Sequence, residues 1–464
     1  MGNPPEGSHW VRESRIPRHA ASHGAECLDQ LMIITCYFGV FMSAQHHLDS
    51  NTHFESARWS RKEIGQILLI SLIFVAACIE TDIYLPAFPD MMTAFQVSEA
   101  EIQKILTWNF FALCLSGPFY GPLSDAWGRR KPLLVALLLF LVGSGVTVLS
   151  RDFGCLLFGR ILQGLGSGGC FTLGAAILFD SFTPRKALVG LNHLNSIVPL
   201  AMAGAPILGG VLNQTYGYRS NFVAITAVVL LSWAFCQIFF KETLPKKQRH
   251  PIERKKLKAD FSRVLSSFSF WQMNLPVCLL YSGYLGFLSV SSIYFVIELG
   301  VSKSVFPFFQ TAVLSGWLVA SVSCSWFLKR WGSVRTLRVG IGIFAISLLG
   351  FQLSYWLAPR NPYWLTFFMM TYSFGYNWLQ TPYFGEIMGL MPDIKGIVGS
   401  IVTSFRLLLT AGLIGLVSIF YDGTLNSFAL VQLGVALVVA PMIWLRERNR
   451  GESDTPCVEV QISH

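Results

Sequence analysis

Two acids stand inside an apolar run near the start of the chain. Residues 65–79 carry almost only apolar side chains, and Glu80 and Asp82 follow before the run ends at Pro89. An ionisable group at such depth costs about 2.5–3.5 kcal/mol on insertion scales, so it is retained where it has work to do. Pro86 lies four residues after Asp82. It offers no N–H to the Asp82 carbonyl, and its ring clashes with that carbonyl. A helix here is expected to bend or loosen at the acid, leaving a carboxyl beside freed backbone, as a proton or cation site requires. A third ionisable group, Arg160, opens the apolar stretch RILQGLGSGG. Inside a membrane a guanidinium needs an acid or a carbonyl as partner. On an ideal helix Glu80 and Asp82 point about 200° apart, so they share one cavity only if the helix unwinds.

The elements that must position these groups are membrane helices. The chain has 464 residues, of which 53% are hydrophobic and 13% charged. A soluble domain carries about 25% charged residues. Apolar runs of membrane length recur from residue 65 to 445, which predicts an all-α integral membrane protein of twelve transmembrane helices. The expected spans are 65–88, 102–123, 132–150, 154–179, 187–213, 220–240, 270–297, 305–328, 336–357, 363–386, 396–420 and 425–445. They form two six-helix bundles, 64–240 and 270–445. Residues 241–269 join them, and 241–263 hold nine Lys/Arg against three acids, read as a solvated charged loop. Residues 1–63 are read as a disordered cytoplasmic tail whose apolar stretch 31–42 is too short to span, and 446–464 as a cytoplasmic C-terminal tail. Alternate loops carry 25 Lys/Arg on one side and 5 on the other, which places both termini and the linker in the cytoplasm. The formal charge of +9 therefore orients the chain in the bilayer and is no nucleic-acid footprint. The ten cysteines show no metal spacing, and no phosphate loop, zinc motif or nucleophile elbow occurs. No enzyme activity, metal or cofactor is expected.

Three motifs carry more than span pattern. Gly121-Pro-Leu-Ser-Asp125-Ala-Trp-Gly128-Arg129-Arg130-Lys131 follows the second span. Gly121 permits close helix approach, Gly128 a tight turn, and Asp125 is an anion at a helix end. A degraded copy, Lys329-Arg330-Trp331-Gly332, lies 204 residues later, with Gly332 matching Gly128 and Lys329 replacing Asp125. In the fourth span Arg160 and Gln163 precede Gly164 and Gly168, a GxxxG face for close packing. In the fifth, Pro206 breaks the ladder among Gly204, Gly209 and Gly210.

The Gly121–Lys131 loop resembles the loop between helices 2 and 3 of the major facilitator superfamily. The other two motifs resemble the helix-4 and helix-5 motifs of its drug:proton antiporters. Together with Thr81-Asp82-Ile-Tyr84-Leu85-Pro86 they resemble the Bcr/CflA branch, over residues 65 to about 245; the second half matches in span pattern and the degraded loop. Glu80 departs from that branch, where a small or polar residue is usual, and Ala205 stands where a glycine is usual. The resemblance implies a proton-coupled secondary transporter that exports small, partly apolar organic molecules or drugs across the cytoplasmic (inner) membrane. The alternative is a transporter of one metabolite or siderophore on the same fold. It implies Asp82 as the proton-coupling acid with Arg160 as its relay partner, Glu80 being secondary. It makes Gly121, Asp125, Gly128, Arg129 and Arg130 a conformational latch. Tyr84, Trp108, Asn109, Tyr281, Tyr284 and Asn377 are the expected cavity lining. Arg406, in the eleventh span, has no evident acid; Glu386 and Glu298, at span ends, are the expected partners. The expected partners of the protein are a small-molecule substrate, protons and lipid, with no nucleic acid, and the expected state is a monomer.

Overall fold

The computed structural model describes residues 60–249, 254–357, 360–391, 393–421 and 424–452. The expected N-terminal tail up to residue 59, with its stretch 31–42, and residues 453–464 lie outside them. Ser60 opens the first membrane helix with a capping box. Its hydroxyl accepts from the Glu63 N–H, and the Glu63 carboxylate accepts from the Ser60 N–H. Helix α1 (Arg61–Asp82) stops at the second acid. A 3₁₀ turn follows at Leu85–Ala87 with Pro86 inside it, and α2 (Phe88–Phe95) resumes the span with Pro89 in its first turn, where a missing N–H is harmless. The loosening expected at Asp82 thus falls immediately after it.

The rest of the first half is α3 (Glu99–Ile102), α4 (Lys104–Trp127), α5 (Arg130–Leu149), α6 (Phe153–Ser181), α7 (Pro184–Tyr216) and α8 (Arg219–Phe239). Next come α9 (Arg254–Leu265), α10 (Phe268–Ile293), α11 (Phe306–Leu357), α12 (Pro362–Leu390), α13 (Lys395–Phe420) and α14 (Asn426–Glu452). Helix α11 contains two spans that meet at Gly332, where φ is 77° and ψ 172°. Gly128, at the end of α4, has φ 91° and ψ 162°. The two loop glycines, 204 residues apart, keep one left-handed backbone shape that side chains rarely adopt. Counted this way, the described residues hold twelve helical stretches of membrane length. Ten of them are long and apolar enough to cross a membrane; α4 and α12, interrupted by prolines and polar side chains, are the other two.

The linker differs from its expected form. Part of it is the amphipathic helix α9, whose Val264 is fully buried and whose Phe261 packs against the core. Arg263 ties it to Asp393 at 2.6 Å. That hydrogen bond holds the Asp393 carboxyl below the usual carboxylate range. The halves meet at α4 on α13, α7 on α11, the α1–α2 break on α10, and α3 on α13. The C-terminal helix α14 continues to Glu452, beyond the span end expected at residue 445.

Candidate functional site: a buried ion pair, an unpaired acid and a chamber between the halves

Glu80 and Arg160 are both 0% exposed, and their Oε1 and Nη1 lie 2.8 Å apart. The pair is built from four helices. Asn109 on α4 donates to Glu80 Oε1 at 2.8 Å and to the Arg160 carbonyl at 3.1 Å. Arg160 donates to Gln163 Oε1 at 2.6 Å and to the Tyr84 hydroxyl at 2.5 Å, with its guanidinium 4.3 Å from the Tyr84 ring centroid. Gln163 passes the network on to Ser144 of α5 at 2.8 Å. Tyr84 stacks on Phe222 of α8. Such a pair is neutral overall, and the hydrogen bonds from Asn109 and to Gln163 and Tyr84 help to offset the cost of burying it.

Asp82 is 1% exposed and stands apart from this network. Neither a hydrogen bond nor an ion pair reaches its carboxyl among the described residues, and Oδ2 is buried without a donor. The relay contact expected between Asp82 and Arg160 is therefore corrected: the guanidinium sits on Glu80. The 200° between the two acids explains the difference. Glu80 points into the first bundle, and the break that follows Asp82 packs on α10, the helix of the second half that carries Tyr281 and Tyr284.

Small residues let the helices approach around these acids. A methyl group added at Gly164 would collide with the Asn109 carbonyl, and one at Gly168 with the Ser116 hydroxyl. One at Gly209 would fall on the carbonyl oxygen of Ile83, inside the α1–α2 break, and one at Gly210 on the Pro307 ring of the other half. The helix-5 motif thus packs the break and the interface together. Gly204 has open space, and Pro206 lies inside α7.

A cavity of about 640 Å³ opens between the halves at the end that carries the basic loops. Gly117, Gly121 and Asp125 of α4 line one side, Gly399, Thr403 and Ser404 of α13 the other, and Phe261 of α9 its mouth. A smaller chamber of about 250 Å³ adjoins it through Phe171 and is lined by Tyr284 and Trp317. The opposite end is closed. There Asp90 accepts from Lys303 across the halves and from Asn213 at 2.6 Å, Thr311 donates to the Ala203 carbonyl at 2.9 Å, and Ser418 to the Ala100 carbonyl at 2.5 Å. The molecule is open at its basic end and shut at the other.

The residues expected to line the cavity fall in different surroundings. Tyr284 lines the smaller chamber and Tyr281 packs beside it. Tyr84 and Asn109 belong to the buried charge network instead, and Trp108 and Asn377 line neither chamber. In the loop after α4, Arg129 gathers the contacts. It donates to Asp125 at 2.6 Å, Asp180 at 2.7 Å and Ser124 at 2.5 Å, and its backbone N–H donates to Glu242 at 2.7 Å. Arg130 reaches the Gln237 carbonyl at 2.9 Å. Asp180 and Glu242 went unnoticed in the sequence because each lies at the end of a span, where a lone acid carries no signal. Glu386, expected beside Arg406, pairs with Arg446 at 3.4 Å.

Comparison with known proteins agrees with this architecture across both halves. The chain is 28% identical over 276 residues to the uncharacterized MFS-type transporter YdgK of Bacillus subtilis, covering 59% of this chain and 68% of that protein. It is 26% identical over 317 residues to a chloramphenicol resistance protein of Pseudomonas aeruginosa, covering 64% and 74%. A solved bacterial homolog of the human lysosomal transporter Spinster, inward-facing and occupied, superposes with a TM-score of 0.66 at 16% identity, over 83% of this chain and 96% of that one, and so shares the fold. Residues 70–416 match the family described as Major Facilitator Superfamily. On that match over about three quarters of its length, the chain belongs to the Major Facilitator Superfamily and is a transporter.

Proposed function

We propose that this transporter is a proton-coupled exporter of small, partly apolar organic molecules, with Asp82 as the coupling carboxyl. The observation that carries the reading is the unpaired Asp82 carboxyl, buried beside the helix break that packs on the second half. Changing its charge breaks no contact, whereas protonating Glu80 would strand Arg160. Asp82 binds a proton in one state and releases it when substrate enters; alternating access then exports substrate as protons move inward. The Glu80–Arg160 pair is a fixed internal strut. The family resemblance of the helix-5 motif and the resistance named for a relative support export of drug-like molecules. A transporter of one charged metabolite is the second reading, favoured by Arg406 in the second half. The inner membrane, a monomeric state and cytoplasmic termini belong to the proposal, the last resting on 25 basic residues against 5. A single cysteine at Lys246 should be protected from an impermeant thiol reagent in intact cells and one at Arg360 labelled; the opposite pattern inverts the topology. For coupling, the measurement is proton release from detergent-purified protein on addition of chloramphenicol or a lipophilic cation. Release should persist in Glu80→Gln protein that remains folded and vanish in Asp82→Asn. Release by Asp82→Asn but not by folded Glu80→Gln would reverse the two roles.

A further inference from the structure

Among the described residues, Asp82 in the first half and Arg406 in the second stand without an ion-pair partner. Arg406, on α13 in the second, is partly buried; no ion pair involves it among the described residues, and its Nε is buried without a hydrogen-bond partner. Its guanidinium lies 4.6 Å from the ring centroid of Tyr281. Tyr281 is in turn the hub of an aromatic group, with ring centroids 6.3 Å from Tyr284, 5.8 Å from Trp317 and 5.9 Å from Tyr376. Tyr284 has a buried hydroxyl without a partner and lines the smaller chamber with Trp317. Seven residues are about 700° of helix, so Arg406 shares a face of α13 with Gly399, which lines the larger cavity. The helix break that follows Asp82 packs on α10, the helix that carries Tyr281 and Tyr284. The two charges do not pair with each other among the described residues.

We propose that Asp82, Arg406 and the aromatic group of Tyr281, Tyr284, Trp317 and Tyr376 form one subsite for an amphoteric substrate, a flat apolar body carrying a carboxylate and an ammonium. This deepens, and rests on, the transport reading above. The guanidinium fork matches a carboxylate, and the ring faces take the flat body. The substrate ammonium takes the place of the proton on Asp82: the O–H bond breaks, the proton leaves to water, and the carboxylate then accepts N–H donors. Proton release on binding therefore follows from the cationic end, and selectivity among cations from the anionic end.

The test is a charge series on one skeleton, with both phenyl and biphenyl bodies: the aminomethyl carboxylate, the carboxylate alone, the amine alone and the neutral alcohol. Binding is read from tryptophan fluorescence and proton release from a pH dye, in detergent-purified protein. A charge-assisted hydrogen bond contributes about 1.5–3 kcal/mol, so the aminomethyl carboxylate should bind at least about tenfold more tightly than the amine. Arg406→Gln should erase that advantage, while Arg406→Lys keeps part of it. Asp82→Asn should weaken both aminated compounds and abolish release. Equal binding of amine and aminomethyl carboxylate, or an advantage that survives Arg406→Gln, overturns the subsite while the coupling role of Asp82 stands. Absence of binding by the whole series also overturns it. Release that persists in Asp82→Asn overturns the transport reading beneath it.

Discussion

Glu80 and Asp82 are two residues apart and carry the same charge, yet their amide variants should differ sharply in stability. Glu80→Gln removes the charge that faces Arg160 at 2.8 Å in a site where both side chains are 0% exposed. At an effective dielectric of about 20, unit charges at that distance attract by about 6 kcal/mol. The glutamine oxygen keeps its dipole and can still accept from Asn109, so part of this is retained. Removing one partner of a buried pair typically costs about 3–5 kcal/mol, because the other charge is left behind. Asp82→Asn removes a carboxyl that no donor or cation reaches among the described residues. It should change stability by less than about 1 kcal/mol, and relieving an unpaired buried acid favours the folded state. Denaturant unfolding in detergent, followed by tryptophan fluorescence, measures both. The double variant Glu80→Gln/Arg160→Gln completes a cycle and should recover much of the loss, because no stranded charge remains. If Asp82→Asn is as destabilising as Glu80→Gln, or if the double variant is worse than the sum of its singles, the assignment of Arg160 to Glu80 is wrong.

Three further substitutions probe the surroundings. Gly209→Ala would push a methyl onto the Ile83 carbonyl and should cost about 1–3 kcal/mol, whereas Gly204→Ala on the same helix has room and should be neutral or stabilising; equal thermal shifts would show that the helix-5 motif does not pack the break. Asp180→Asn breaks a contact of 2.7 Å between side chains that are 10% and 23% exposed, and should cost more than Asp125→Asn, whose carboxylate is 52% exposed. Asp125→Asn should instead slow turnover in proteoliposomes at unchanged stability, and unchanged turnover would remove it from the latch. Lys303→Ala weakens the closed end by up to about 1 kcal/mol, a shift of about fivefold in the open population. A cysteine at Ala203 should then react faster with a thiol reagent, most clearly at low salt, and identical rates would take the Lys303–Asp90 contact out of the gate.

Much of the architecture was legible because the bilayer constrains it so strongly. Apolar length gave the twelve spans to within a few residues, and the periodic return of a basic loop with Gly128 and Gly332 gave the two halves. The structure shows why the degraded copy kept its glycine and lost its acid. The left-handed backbone at Gly332 is needed wherever two antiparallel spans turn this tightly, while Asp125 is needed only where Arg129 is. The linker was read from charge density alone, which misses a helix whose apolar stripe is as narrow as Leu257, Phe261 and Val264. Asp180 and Glu242 were invisible for a different reason: their partner, Arg129, is 51 and 113 residues away, and no local pattern carries such a distance.

The two acids show where sequence reasoning stops. Helical spacing says that Glu80 and Asp82 face opposite ways, and Pro86 says that the backbone yields beside the second. Neither says which direction is the bundle and which is the interface, because a helix near a two-domain interface is apolar on every side. The family pattern put the function on Asp82 and so drew Arg160 towards it. The structure separates two demands that the sequence had merged. A guanidinium buried at 0% exposure requires a partner, and Glu80 supplies it with help from Asn109, Gln163 and Tyr84. An acid that is to exchange a proton must be free of such a partner. Glu80, the residue that departs from the family pattern, leaves Asp82 without a cation, and that is the condition under which Asp82 can change its charge while the first bundle keeps its contacts.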